Sequence, residues 1–212
     1  MSENRLLQSA LILAIITVGY NLAEGIVSVF FGINDDTLAL LGFGIDSFVE
    51  VLSGAGIIHM IFRMKKSGQN LTNRDQFEKL ALKITGTSFY ILAAGLVAGA
   101  VINIIRGTKP QTAIVGIIVS AVSILTMYIL MKMKLKIGGR LNSDAIIADA
   151  HCTRACLYLS FVLLASSGMY ELLGVSWFDI AGSLGIAWFA FSEGKEAFEK
   201  AYSEKIDCGC HE

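Results

Sequence analysis

The chain holds 212 residues, 54% of them hydrophobic and 17% charged, with 21 Gly, a single Pro and a formal net charge of -1. A helix that crosses a bilayer uses roughly 20 apolar residues, so six of them would consume most of the chain. That balance excludes a large soluble domain, a nucleotide-binding fold and a basic surface for nucleic acid.

The N-terminal Met1-Ser2-Glu3-Asn4-Arg5 is short and mixed in charge, and no small-residue cleavage pattern follows it, so the first apolar stretch is expected to be retained as a span. Span one is Gln8 to Gly32, ending at the polar turn Ile33-Asn34-Asp35-Asp36. Span two runs from about Thr37 to Phe62 and stops at Arg63-Met64-Lys65-Lys66; the polar stretch Ser67 to Arg74 is a loop. Span three, about Phe77 to Ile105, leads to a turn at Arg106-Gly107-Thr108-Lys109-Pro110. Span four covers about Thr112 to Met131 and emerges through Lys132, Lys134, Lys136 and Arg140. Span five is about Asp144 to Tyr170 and span six about Phe178 to Phe198. Glycines at four-residue or shorter spacing, Gly42, Gly44, Gly54 and Gly56 in span two and Gly95 and Gly99 in span three, read as sites of close helix approach.

Lys and Arg collect on the cytoplasmic side of short loops. Only Arg106 and Lys109 fall in the connections after spans one, three and five, and Arg154 lies within a span; the other 14 of 17 basic residues sit at the N-terminus, by the even-numbered loops or in the tail. The expected fold is therefore an all-α integral membrane protein with six transmembrane helices and both termini cytoplasmic. Residues 1–198 form the membrane domain and 199–212 a short cytoplasmic Cys/His tail.

An Asp or Arg at a helix centre costs about 2.5 to 3.5 kcal/mol on insertion scales, so each must have a partner or a purpose. Asp46 and Glu50 in span two are four residues apart, on one helix face and about 6 Å apart along the axis. A cation or protons must offset their mutual repulsion. Cys152 and Cys156 in span five repeat that spacing, so two facing helices can each offer two ligands to one ion. Thiolate with carboxylate suits Zn²⁺, and the sulfurs suit Cd²⁺ at least as well. Two plainer readings stand beside this one: cysteines that only pack, and an ion pair between Arg154 and one of the acids. On an ideal helix Arg154 projects about 200° from Cys152, toward some other partner.

Asp149, His151 and Glu24 are candidates for proton relay or for supporting the ligands. His151 points about 100° from Cys152, and Glu24 shares a face with Asn21, either lining the same polar interior or bonding a neighbouring helix. His59 reads as interfacial, and Asp179 as lying near the outer end of span six within reach of water. The tail gathers Cys208, Cys210 and His211, a second set of donors for a soft divalent ion in the reducing cytoplasm, or a tail without function. No phosphate loop, zincin motif or Ser/His/Asp triad is present, so no enzyme is expected.

The pattern resembles the transmembrane domain of the cation diffusion facilitator family. The resemblance rests on Asn21-Leu22-Ala23-Glu24-Gly25, on Ala39-Leu40-Leu41 leading to Asp46-Ser47-Phe48-Val49-Glu50, and on Ser143-Asp144-Ala145 leading to Ala148-Asp149-Ala150. It implies exchange of Zn²⁺ or a related divalent cation for protons, at two acids four apart in the second span and a His and an Asp four apart in the fifth. Asp46 and Glu50 fall on the first pair; Cys152 and Cys156 stand where the second is expected, which changes the ligand chemistry. The family's usual cytoplasmic C-terminal domain is not expected here, so a homodimer would form through the membrane helices.

The expected function is divalent metal efflux by alternating access, with Zn²⁺ or Cd²⁺ as substrate, no resident cofactor, and a bacterial inner (plasma) membrane as the location. Binding at the thiols requires their deprotonation, which couples metal to protons. The alternatives are a non-transporting membrane metal-binding or sensor protein at the same four residues, and a thiol oxidoreductase using Cys152 and Cys156. The second is disfavoured because adjacent turns of one helix are an awkward place for a disulfide.

Overall fold

The computed structural model describes residues 3–67, 76–107, 109–111 and 113–203. The described residues form six helices: α1 (Glu3–Asn34), α2 (Leu38–Ser67), α3 (Gln76–Arg106), α4 (Ile114–Leu141), α5 (Asp144–Leu173) and α6 (Trp177–Tyr202). The first five are long and apolar enough to cross a membrane. In α6 the uncharged stretch runs only from Ile180 to Ser192, bounded by Asp179 and Glu193, and it does not meet the same measure.

Helix α1 packs chiefly against α2, α3 against α6 and α4 against α5, while α2 also touches α3, α5 and α6. Phe43, Leu92, Leu96, Leu163 and Ile186 fill the main apolar core. The outside is apolar too: Ile91, Ile105, Leu125, Leu172 and Trp188 are all exposed. A soluble domain rarely shows so much apolar surface, whereas a bilayer solvates it. The chain is a multi-pass integral membrane protein.

Close approach explains two of the glycines best. A Cβ at Gly44 would come within 2.7 Å of the Val29 nitrogen, and one at Gly86 within 2.8 Å of the Phe198 ring. These contacts seat α2 on α1 and α3 on α6. Gly95, expected to serve the same purpose, has no neighbour within 4 Å and faces open space.

Two departures from the sequence reading have physical causes. Helix α4 does not stop near Met131 but runs on to Leu141, because Lys, Leu and Met are good helix formers. It ends at Asn142, whose left-handed backbone (φ 46°) directs its N–H to the Gly138 carbonyl. Asp179 is not open to water: it is 3% exposed, and its carboxylate accepts from the Leu38 and Ala39 nitrogens at 3.0 and 3.2 Å. It thus caps the start of α2 from another helix, satisfying donors that a helix leaves free. His59 packs against Phe77, ring centroids 4.5 Å apart and planes inclined at 43°. The tail candidates Cys208, Cys210 and His211 lie outside the described residues.

Candidate metal centre

Glu50 is the point where α1, α2 and α5 meet. Its Oε2 accepts from Asn21 Nδ2 at 2.8 Å, and its Oε1 accepts from the Cys156 thiol. A carboxylate half-buried between helices is tolerable only with such donors around it. Cys156 is also placed by its own helix, with Sγ 3.4 Å from the Cys152 carbonyl oxygen.

Beside this contact lies a cavity of about 60 Å³, whose polar wall includes Asn21, Glu50, Asp149, Cys152, Cys156 and Glu193. At about 30 Å³ of liquid per water, that is room for about two waters, and so for a metal ion. On α2 the wall continues from Glu50 to Ser53, Gly54 and Ile57, that is, toward the end of α2 that carries Lys65 and Lys66. This is the end that the positive-inside rule expects to face the cytoplasm.

Asp46 is one turn further from that end and does not line the cavity. It is 3% exposed, and its Oδ1 has no hydrogen-bond partner. Of the four expected ligands, the structure brings Glu50, Cys152 and Cys156 to one cavity and leaves Asp46 just beyond its floor. Among the described residues, no three His, Cys, Asp or Glu side chains stand in the arrangement of a preformed metal site. Glu50 and Cys156 are bonded to each other instead of facing a common centre.

The supporting candidates divide. Asp149 lines the cavity and is ion-paired, its Oδ2 2.9 Å from Lys134 Nζ. Glu24 is buried away from the cavity wall, its two oxygens accepting from Tyr20 OH at 2.8 Å and Ser47 Oγ at 3.1 Å. His151 lies in a second, larger cleft of about 330 Å³ between α5 and α6, with Arg154, Glu196 and Glu199. Arg154 is exposed there. Cys152 and Glu193 line both the cleft and the inner cavity. Lys200 stands at that junction, Nζ 2.5 Å from Glu196 Oε1 and 4.0 Å from Cys152 Sγ.

Two charged residues at or just behind the cavity wall, Lys134 and Glu193, are not among the sequence candidates. Lys134 looks like one of several lysines leaving the membrane. Yet Ser120, Ser123, Met127, Leu130, Lys134 and Gly138 form one buried stripe, and helical spacing carried past Met131 would have placed Lys134 inward. Glu193 looks like the first charge of a solvated tail, but it follows Ile186 and Ala190 at the same spacing.

The chain matches the cation efflux transmembrane domain family over residues 10–204. It is 28% identical over 183 residues to an uncharacterized transporter of Methanocaldococcus jannaschii, a match that covers 84% of this chain and 64% of the relative. The chain thus spans somewhat under two thirds of the length of that relative. The matched segment takes in most of α1 and all of α2 to α6, and the chain belongs to the cation efflux, or cation diffusion facilitator, family.

Proposed function

We propose that this member of the cation efflux family exports a divalent metal cation, Zn²⁺ or Cd²⁺, in exchange for protons, using Asp46 and Glu50 of α2 with Cys152 and Cys156 of α5. The observation that carries the reading is the Cys156 thiol bonded to Glu50 at the wall of a small cavity with room for an ion. A metal ion entering between these two groups takes the place of the shared proton, since the thiolate and not the thiol is the ligand. Cys152 stands where the outer cleft meets the cavity, so the cation passes from the cytoplasmic cleft to Cys152 and then to Cys156 and Glu50.

Asp46 comes into play as the site turns outward. A carboxylate whose Oδ1 is buried without a partner is an acceptor waiting for a cation or a proton. Movement of α2 against α5 brings Asp46 to the ion and closes the cytoplasmic route. Protons from the far side then return to the thiols and carboxylates and release the metal. The same reading includes a homodimer joined through membrane helices and residence in a bacterial plasma membrane.

Purified protein in liposomes, with a metal indicator inside and a pH dye outside, tests the proposal. Cd²⁺ or Zn²⁺ uptake should be matched by movement of protons the opposite way, and Asp46→Ala and Cys156→Ser should each lower the initial rate by about tenfold or more. Undiminished flux in both variants would sink the assignment; binding without flux in the wild type would favour a non-transporting metal-binding protein.

A further inference from the structure

A fixed positive charge stands directly behind the wall of the proposed cation cavity. Lys134 of α4 is 1% exposed, and its Nζ lies 2.9 Å from Asp149 Oδ2 and 2.9 Å from Thr153 Oγ1. Both partners are cavity-lining residues of α5, one turn apart and interleaved with Cys152 and Cys156. Thr153 is itself anchored, its hydroxyl donating to the Asp149 carbonyl at 3.1 Å. A buried ammonium is costly to keep in a membrane, and next to a cation route it also repels the cargo.

The chemistry of the wall gives that cost a purpose. The cavity has two kinds of donor. Sulfur, from Cys152 and Cys156, favours soft and borderline ions; carboxylate oxygen favours hard ones such as Mn²⁺ and Mg²⁺. Glu50 is engaged by Asn21 and Cys156, and Glu193 enters from α6 at the cleft junction. Asp149 is the carboxylate that the thiol-bearing helix contributes to the cavity wall, and Lys134 holds its oxygen in an ion pair. An oxygen so held is a poor metal ligand.

We infer that Lys134 is a specificity-determining residue: by sequestering Asp149 it keeps α5 a sulfur-donor helix and excludes hard divalent cations from the cavity. The inference rests on reading this cavity as the cation route. Removing the ammonium frees Asp149 as an oxygen donor at the cavity wall and admits Mn²⁺. Removing Asp149 as well takes that donor away again, so the two substitutions must cancel in selectivity, which a loss of packing alone would not produce.

The experiment is the ratio of initial Mn²⁺ to Cd²⁺ uptake rates in liposomes, for wild type, Lys134→Arg, Lys134→Met and Lys134→Met/Asp149→Asn. The expected result is a ratio raised by about tenfold in Lys134→Met, returned to within about twofold of wild type in the double variant, and unmoved in Lys134→Arg. Should Lys134→Met fail to fold, Lys134→Gln, which still donates a hydrogen bond without the charge, is read in its place. A ratio unchanged on loss of the charge, or one that stays high in the double variant, overturns the inference while leaving transport standing. If wild type moves neither ion, the transport reading itself fails.

Discussion

Glu24 and Asp149 are both carboxylates sunk in the helix bundle, yet α1 and α2 answer the first with hydroxyls and α4 answers the second with an ammonium. The difference follows their positions. Glu24 sits between α1 and α2, away from the cavity, where Tyr20 and Ser47 satisfy its two oxygens without adding charge. Asp149 sits on the cavity wall, where any unpaired carboxylate would itself be a ligand. A hydroxyl pair leaves a carboxylate free to take a proton or a cation; an ion pair withdraws it. The bundle thus keeps its acids available on one side and one of them locked on the other.

The comparison breaks most sharply at Lys134. Taking one partner from a buried ion pair costs about 3 to 5 kcal/mol, because the other charge stays buried. Lys134→Met should therefore lower the thermal midpoint in detergent more than any other single change in these two clusters, and adding Asp149→Asn should recover most of the loss. Equal midpoints for the single and double variants would mean that the pair is not the source of the effect. The hydroxyl-capped cluster should respond less: Ser47→Ala removes one of several hydrogen bonds to Glu24 and should cost about 1 to 3 kcal/mol, seen as a smaller drop in the same midpoint. A loss as large as that of Lys134→Met would erase the distinction between the two clusters.

Much of this architecture is legible in the sequence, because apolar runs bounded by basic clusters are forced by the bilayer. Every expected span forms a helix, with ends shifted where caps intervene, as at Asn142 and Asp179. Four-residue spacing puts Cys152 and Cys156 on one face of α5, and the structure has both lining the cavity with Cys156 bonded to Glu50. Spacing fixes which face a residue occupies but not how deep a cavity reaches. Asp46 shares a face with Glu50 yet lies about 6 Å further along the axis, and it does not line the cavity. Lys134 and Glu193 escape because basic and acidic residues near a span's end read as solvated; only the buried stripe that each continues reveals the inward turn.

The central claim is that Glu50 and Cys156 exchange their shared proton for a metal ion. Cadmium-edge X-ray absorption on purified protein carrying Cys208→Ser and Cys210→Ser, with one equivalent of Cd²⁺, tests it most directly. A mixed shell of sulfur and oxygen is predicted, losing sulfur in Cys156→Ser and losing oxygen in Glu50→Ala. A shell that is all oxygen, or one untouched by either substitution, would contradict it.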